Sequence, residues 1–379
     1  MGSSVDSKRG RAALMVAHCA GMVDLVALSV WVGALIAHYG FDPQRAGGLP
    51  TLFLVGAVLA SVAVAPRIQR VNGRWVATAG FAISAVAFWL AAGTSSYAQL
   101  GMLHLVAGMS AGAALSVTHG TIARSANPHR LFAIAGMSLG VFAVAFLAGV
   151  PQLIAAQGGP VLFKTFAAVM GLGAVASLLA FPVEGTAATA MPQSKPAPLP
   201  RAVWFGILGI SCMTLVQAMI FGFLEGVGTH RGFDRGAING VLIVLGLVNL
   251  LPALLAALLQ KRLSARKVLL AGPVVQCALA VTIMVSPAFG PYAFAAALLA
   301  AVLIFTHTFA FGLLAHLDTS GRTLTGTPAM LMVGSAIGPF LGGTLVNAFG
   351  YESLAVATAV LAIAAVACFA QLPGAAARR

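Results

Sequence analysis

Twelve long apolar runs follow one another along the chain, separated by short clusters of Gly, Pro and charged residues. Each run is apolar on all sides, and each approaches or exceeds the roughly 20 residues that a helix needs to cross a bilayer. Because backbone polar groups in lipid must be satisfied within the chain, we expect each run to form a helix. The runs lie at about 12–38, 49–65, 75–93, 97–123, 131–156, 160–181, 202–228, 236–259, 267–287, 290–316, 324–347 and 351–371.

The composition excludes a soluble globular protein. Hydrophobic residues make up 60% of the 379 residues and charged residues 8%, whereas an ordinary soluble domain has about 25% charged residues. So few charges cannot cover a water-facing surface, and the bilayer is therefore the expected solvent. The four cysteines fall inside apolar runs, so we expect buried thiols and no disulfide framework.

The basic residues lie between the runs and predict the topology. The formal net charge is +13, and Lys and Arg accumulate in the cytoplasmic loops of membrane proteins. With both termini in the cytoplasm, 17 of the 21 Lys and Arg lie inside, and only Arg45, Lys164, Arg231 and Arg235 lie outside. We therefore expect a multi-pass protein of the cytoplasmic membrane that contacts lipid and binds no nucleic acid.

One compositional break divides the chain. Residues 183–201 are rich in Pro, Ala and Ser, which is typical of a semi-extended linker. The pattern therefore predicts an all-α membrane protein of twelve transmembrane helices. One six-helix bundle is expected at 1–182 and a second at 202–379, joined by a cytoplasmic linker.

The two halves also repeat in sequence. Residues 38–42 read His-Tyr-Gly-Phe-Asp and residues 230–234 read His-Arg-Gly-Phe-Asp, at an offset of 192 residues. The basic residues that match at the same offset are Arg70 with Arg262 and Arg74 with Arg266. Repeated halves of six spans are typical of secondary transporters, whose substrate site lies near the bilayer midplane where the repeats meet.

This arrangement resembles the Major Facilitator Superfamily over essentially the whole chain. The loop at 67–75 stands where that family carries a Gly-x-x-x-Asp-Arg-x-Gly-Arg motif, and Gly73 and Arg74 match its end. Arg70 occupies the acidic position, where the chain departs from the family pattern. The resemblance implies two pseudo-symmetric bundles, alternating access and a monomer.

Glycines in two runs extend the resemblance. In the fourth run, His104 stands where the family often has Arg, and Gly108 and Gly112 follow it. The eleventh run contains Gly334, Gly338, Pro339 and Gly342, which look like the family's antiporter motif. Antiporters of the family carry that motif in helix 5, so its place in this chain differs. Such glycines let helix backbones approach closely and the proline can kink the helix, so we expect packing or gating roles.

Asp24 is the leading candidate for proton coupling. It lies about 12 residues into the first run, which at 1.5 Å per residue is roughly 18 Å deep. An ionisable group near the midplane faces a cavity or a partner, and burial suits it to reversible protonation. Trp31 lies seven residues further on the same helical face and could hold an organic cation. Drug/proton antiporters of the superfamily, which this chain resembles, often carry an acidic residue in helix 1. A protonated side chain bonded to a neighbouring helix is the alternative.

Glu225 is the second acidic residue within a run. Gly222, Gly226 and Gly228 flank it, and they would permit unwinding at an outer gate. Alternatively, its carboxyl group reaches interfacial water. Gln217, about two turns below, is a candidate for hydrogen bonding in the cavity.

Histidines and one asparagine complete the candidates. His104 could relay protons, because imidazole exchanges them near neutral pH, and His307 is a cavity candidate. His18 lies off the face of Asp24, so packing is its favoured role. His119 lies near a cytoplasmic end, so we expect it at the membrane interface. Asn249 is a further cavity candidate. The histidines have no metal-ligand spacing, and we expect neither a metal nor a cofactor.

The charges near the midplane bear on the substrate. Carboxylates lie there and Lys and Arg do not, which favours a neutral, weakly basic or cationic compound over an organic anion. The chain has no phosphate-binding Gly-Lys-Ser/Thr loop and no nucleophile constellation. We therefore expect a proton-coupled secondary transporter, and not an enzyme, that exports a small, fairly apolar compound in exchange for protons. Proton-coupled uptake of a small metabolite such as an organic acid is the alternative, and a channel is less favoured.

Overall fold

The structure, a computed structural model, describes residues 5, 7–64, 67, 70–182, 199–317 and 327–373. Helices are the only regular secondary structure within these ranges, which confirms the expected all-α class. Most of the predicted linker at 183–201 lies outside the described residues.

The described helices are α1 (Lys8–Gly21), α2 (Val23–Tyr39), α3 (Pro43–Val64), α4 (Gly73–Ala91), α5 (Tyr97–Ala123), α6 (Pro128–Gln157), α7 (Pro160–Ala180), α8 (Arg201–Gly222), α9 (Leu224–His230), α10 (Arg235–Val248), α11 (Pro252–Leu259), α12 (Ala265–Val285), α13 (Phe289–Leu317), α14 (Thr327–Phe349) and α15 (Ser353–Ala370).

Within the part of the chain that the structure describes, twelve segments are long and apolar enough to cross a membrane. The expected number of spans is therefore confirmed. Together α1 and α2 form the first span, and α10 with part of α11 forms the eighth. Helix α3 begins at Pro43, ahead of the predicted run at 49–65. It does so because Asp42 accepts a hydrogen bond from the backbone N–H of Arg45 (2.8 Å) and starts the helix early.

The sequence echo at the 192-residue offset is a repeated turn. Gly40 and Gly232 both adopt left-handed conformations, with φ of 65° and 76°, which glycine reaches at little cost. Two residues after each glycine, Asp42 and Asp234 accept hydrogen bonds from the backbone N–H three residues on, at 2.8 Å in both cases. Each half therefore begins its second span with the same glycine turn and the same aspartate cap.

Two arginine contacts repeat in the same way. Arg74 donates to the backbone carbonyl of Leu178 near the end of α7, and Arg266 donates to that of Ala370 at the end of α15 (3.2 Å). The donors lie 192 residues apart and so do the acceptors. Each guanidinium satisfies a carbonyl at a helix C-terminus, where a cation is also favoured by the helix dipole. We call these two contacts the arginine braces.

The chain forms two compact units, each with its own core. Unit 1 comprises Met1–Ala27, Leu52–Ala143 and Gln152–Pro198, and unit 2 comprises Leu28–Thr51, Val144–Pro151 and Leu199–Arg379. In unit 1, Phe88 packs against Phe53 and Phe166 with ring centroids 5.7 and 5.0 Å apart. In unit 2, Ile210 and Phe369 belong to one buried cluster. The bundle boundaries expected from the linker stay a prediction.

Candidate functional site

The first span is interrupted at Met22, between Gly21 and Val23. The backbone N–H of Met22 caps α1 by donating to the carbonyl of His18 (3.0 Å). Helix ends carry partial charges, negative at the C-terminus and positive at the N-terminus. His18 lies in the last turn of α1, and Asp24 lies in the first turn of α2. The break therefore places a basic and an acidic side chain at helix ends whose partial charges are opposite to theirs.

Asp24 is buried within the first span. Its exposed fraction is 4%, and among the described residues its Oδ1 has no hydrogen-bond partner. An ionised carboxylate in such a position needs a counter-charge or several hydrogen bonds. The group is therefore suited to taking up a proton or a cationic group. Trp31 follows two turns later on α2 and is wholly buried.

The structure brings His18 of α1 together with His119 of α5. Nδ1 of His18 lies 2.9 Å from Nε2 of His119, within hydrogen-bonding distance. The ring of Phe132 meets His119 edge-on, with centroids 5.6 Å apart at 75°. Within the described residues, no group of three or more His, Cys, Asp or Glu side chains is arranged to hold a metal ion. The sequence did not indicate this pair, because its members are 101 residues apart and neither run reveals which helices cross.

His104 is wholly buried among aromatic rings in unit 1. Phe88 and Phe163 meet it edge-on, with ring centroids 5.8 and 5.3 Å from that of the histidine. Its Nδ1 lies 2.6 Å from the backbone carbonyl oxygen of Leu100. A carbonyl oxygen can only accept, so Nδ1 carries the proton of the neutral ring. These contacts are those of a packing residue, and a relay role for His104 stays a prediction.

Glu225 lies in the first turn of α9, after a break at Phe223. It is half-buried, and its carboxyl group lies against α2: a Cβ on Gly33 would be 2.5 Å from Oε2 of Glu225. The hydroxyl of Tyr292 donates to the backbone carbonyl of Leu224 (2.8 Å) and supports the start of α9. The chain is thus interrupted between α8 and α9, next to Glu225, whose carboxyl group lies within unit 2. A gate at this place stays a prediction.

A pair of amide side chains lies in unit 2. Nε2 of Gln276 donates to the backbone carbonyl of Met213 (3.1 Å) and lies 3.5 Å from Oε1 of Gln217. Gln276 is 1% exposed, whereas Gln217 is half-buried. Gln217 was a candidate from the sequence, whereas Gln276 was not. The available signal was an amide in the middle of an otherwise apolar run.

The two remaining cavity candidates lie apart in unit 2. The ring of His307 stacks on that of Phe311, with centroids 5.0 Å apart at 18°. Asn249 caps the C-terminus of α10 just before Pro252 begins α11, so it marks the break in the eighth span. Among the described residues, His307 Nδ1 and Asn249 Oδ1 have no hydrogen-bond partner. Both are therefore suited to bind a polar group.

The glycines predicted for helix packing lie at close helix crossings. In unit 1, a Cβ on Gly108 would meet the backbone of Phe53, and one on Gly112 would meet the backbone of Ala57. These glycines of α5 therefore allow α3 to approach to backbone contact, as the small-residue pattern predicts.

The glycines of the eleventh span line one face of α14. Gly334, Gly338 and Gly342 follow at intervals of four residues, and a Cβ on any of them would clash with α8 or the residue after it. Pro339 lies within the same helix, and its carbonyl abuts Gly47 of α3. These glycines and the proline therefore lie where helices approach closely, and a gating role stays a prediction. They supply no antiport mechanism.

The basic residues of the loop motif divide into two kinds. Arg70 and Arg262 are exposed, and Arg70 lies in a turn before α4. Arg74 and Arg266 form the arginine braces. Gly73 is the first residue of α4. The end of the motif therefore has a structural role in both halves.

Solved structures with a similar fold are transporters. The crystal structure of the nucleoside transporter NupG has a TM-score of 0.71 at 14% identity, and the match covers 96% of this chain and 99% of that one. The crystal structure of a bacterial homolog to the human lysosomal transporter Spinster, inward-facing and unoccupied, has a TM-score of 0.67 at 14% identity. That match covers 96% of this chain and 95% of the homolog. At these identities the likeness shows the fold alone.

Sequence comparison identifies the family. No curated protein matches the chain in sequence. The family model for the Major Facilitator Superfamily matches residues 14–327, which is most of the chain. The match includes the loop at 67–75 and the first ten spans, and the twelve spans agree with it. The chain therefore belongs to the Major Facilitator Superfamily.

Proposed function

We propose that this protein is a proton-coupled secondary transporter that exports a small, neutral or cationic, fairly apolar compound in exchange for protons. The family supplies the transporter fold. On this proposal the protein is a monomer in the cytoplasmic membrane with both termini inside, because that orientation places most basic residues in the cytoplasm. As in the short drug/proton antiporters that the sequence resembles, an acid in the first span binds the proton.

The observation that carries the proposal is the burial of Asp24 beside a helix break. Its Oδ1 has no hydrogen-bond partner among the described residues, and the side chain is 4% exposed. Such a carboxyl group is neutral when it holds a proton and needs a cation when it does not. A proton and a cationic substrate would therefore compete for it, and competition for one site is sufficient for exchange.

The surroundings of this helix support an apolar or cationic substrate. Trp31 lies on α2 after Asp24, and its indole supplies apolar surface and a π-face for a cation. On this proposal the aromatic ring binds the body of the substrate, while the carboxylate binds its charge or its hydrogen-bond donor.

Two further residues are candidates for coupling. Glu225, like Asp24, lies in the first turn of a helix after a break, and its carboxyl group lies against Gly33. Protonation there would alter the contact between α9 and α2. For His104, the Nδ1 atom faces the carbonyl of Leu100, so Nε2 is the atom that would exchange a proton.

Proton-coupled uptake of a small polar metabolite, including an organic acid, is the second candidate function. The paired carboxamides of Gln217 and Gln276 favour it, because amides recognise hydrogen-bonding groups rather than apolar ones. One solved structure of similar fold is that of a nucleoside transporter, NupG. Under this alternative the proton and the substrate travel in the same direction.

Everted membrane vesicles that contain the full chain test coupling and direction. A proton gradient is formed inside the vesicles, and tetraphenylphosphonium and ethidium serve as cationic probes, with lactate as the acid probe. Under proton antiport, a transported cation releases the gradient, and a fluorescent pH indicator reports the release. Asp24→Asn should abolish this response, because the amide cannot exchange a proton.

The matched control is Asp42→Asn, the same change at an aspartate in a loop that caps α3. It should retain the response, because Asn is as good a helix cap as Asp. An unchanged response in Asp24→Asn would remove Asp24 from coupling. Movement of protons into the vesicle lumen on addition of lactate, with no response to either cation, would favour uptake over export. In proteoliposomes, counterflow of the active probe separates a carrier from a channel, because only a carrier shows stimulation from the opposite side.

A further inference from the structure

We propose that His18 and His119 form a single proton-binding site, in which two imidazole rings share one additional proton. The site lies within unit 1 and joins α1 to α5. Its use in transport rests on the proposed function, whereas its proton binding does not.

The separation of the two rings requires a shared hydrogen bond. Nδ1 of His18 and Nε2 of His119 are 2.9 Å apart, and two ring nitrogens approach this closely when a proton lies between them. In the neutral pair, one ring donates its N–H to the lone pair of the other. The ring centroids are 5.1 Å apart at 36°, a tilted arrangement. The second nitrogen of the donor ring lies outside this bond, carries no proton, and is the place where a further proton binds.

One added proton strengthens the bond, and a second breaks it. A proton that binds the far nitrogen of the donor ring converts that ring to imidazolium, and its bond to the neutral partner becomes charge-assisted. A second added proton would turn two N–H groups toward each other and bring two cations together. The pair should therefore take up one proton as a unit, as strongly interacting groups do.

The helix end beside His18 favours one positive charge on the pair, and the neighbouring cations oppose a second. His18 lies in the last turn of α1, where the helix end carries partial negative charge. Helix α1 packs against α7, α5 and α4, and Phe132 of α6 packs on His119. Besides the pair, the ionisable residues of these elements and their caps whose side chains the structure describes are Lys8, Arg9, Arg11, Cys19, Arg74, Tyr97, His104, Arg124, Arg130 and Lys164. The permanently charged members of this set are all cations, which disfavours a second proton on the pair.

The position of the pair links it to the break in the first span. The carbonyl of His18 accepts the hydrogen bond of Met22, and Asp24 follows on the other side of the break. A proton on the pair and a proton on the carboxyl group would thus change charge at both ends of one interruption. On the proposed function, this gives the first span a second proton-binding site.

The test counts the protons that the purified full chain takes up in lipid nanodiscs. A difference titration from about pH 8 to about pH 4.5 covers the range in which histidines titrate. The variants are His18→Gln, His119→Gln and the double variant, in which Gln keeps a polar partner without a titrating ring. His38→Gln, at an exposed histidine at the end of α2, is the matched control.

If the two histidines share one site, their substitutions have non-additive effects on the number of protons that the protein takes up. Each single variant should take up as many protons as the wild type, because one ring remains to hold the one proton. The double variant should take up about one proton fewer than either single variant. Adding the His38→Gln change should leave the difference in proton uptake between the single and double variants unchanged. A loss of one proton in each single variant would overturn the shared site. An unchanged count in the double variant would show that the pair takes up no proton and would also overturn it.

The proton titration and the transport assay in vesicles together separate this inference from the proposed function. If the count is non-additive but the vesicles show no proton-driven transport, the pair is retained and the proposed function fails. If Asp24→Asn abolishes transport but the histidine count is additive, the shared site fails and the proposed function is retained.

Discussion

The carboxyl group of Glu225 lies against the backbone of Gly33, and the two residues occupy equivalent positions of the repeat, 192 residues apart. A Cβ on Gly33 would lie 2.5 Å from Oε2 and 2.8 Å from Cδ of Glu225. A glycine in one half thus makes room for the acid that the other half carries at the same place. This relation explains why an acidic side chain is tolerated in the seventh apolar run.

Replacing Gly33 by alanine should destabilise the protein. The added methyl group would overlap the Glu225 carboxyl group, which must turn aside; because this group is the end of a flexible side chain, we expect a loss of about 1 kcal/mol or less. Thermal unfolding in detergent measures the loss. Gly171→Ala, at a helical glycine with no atom within 4 Å of the built Cβ, is the control and should be neutral or slightly stabilising.

The cause of that loss can be isolated by a double-mutant cycle. If the overlap with Glu225 is responsible, Gly33→Ala should cost less in a Glu225→Ala background, with a coupling energy of about 0.5 kcal/mol. Additive effects would show that the methyl group meets something other than the carboxyl group.

Asp24→Asn should leave the fold intact while it removes proton exchange. The amide has the shape of the carboxyl group and cannot ionise, so we expect the free energy of unfolding to stay the same or rise by up to about 1 kcal/mol. Chemical or thermal unfolding at neutral pH measures this. A loss of more than about 2 kcal/mol would indicate that the carboxylate makes a structural bond, contrary to its role as an exchangeable group.

The two aspartate caps should contribute equally to the free energy of unfolding. Asp42→Ala and Asp234→Ala each remove the side-chain acceptor at the start of a span, at a cost of about 1 kcal/mol. Because the two turns have the same glycine geometry and the same 2.8 Å bond, the two losses should agree within about 0.5 kcal/mol. Asn at either position should restore stability. Unequal losses would mean that the repeated turns are not energetically equivalent.

Gly338→Ala tests the helix crossing of α14 with α8. A Cβ on Gly338 would lie 2.7 Å from Cβ of Ala218 and 2.8 Å from the backbone nitrogen of Met219. Backbone atoms cannot move aside locally, so we expect a loss of about 2 kcal/mol or more in the free energy of unfolding. Gly312→Ala, on α13 with no atom within 4 Å of the built Cβ, should have little effect. Equal effects of the two changes would contradict close packing at Gly338.

The spans could be predicted from the sequence because hydrophobic length reports directly on membrane crossing. The breaks could not, because each depends on the backbone angles of a single residue. Met22 has φ of −111° and ψ of 19° within a run that is apolar on both sides. Hydropathy is the same for a continuous helix and an interrupted one.

The candidate site was predictable only in part. Asp24 was visible as a lone acid in an apolar run, and its burial follows from that position. The contact of His18 with His119 depends on which helices cross and at what height, and no pattern within one run records this. Gln276 was missed for a related reason: its importance lies in its partner, Gln217, which belongs to another helix.

The arginine braces have a consequence for the history of the chain. Each brace begins and ends within one half, and it ties the third span of that half to its sixth. An ancestor of half the present length could already have formed this hydrogen bond between its third and sixth spans. Duplication would then have given both copies the same contact. Later substitutions would have placed an acid, Glu225, in one copy and a glycine, Gly33, at the equivalent position of the other.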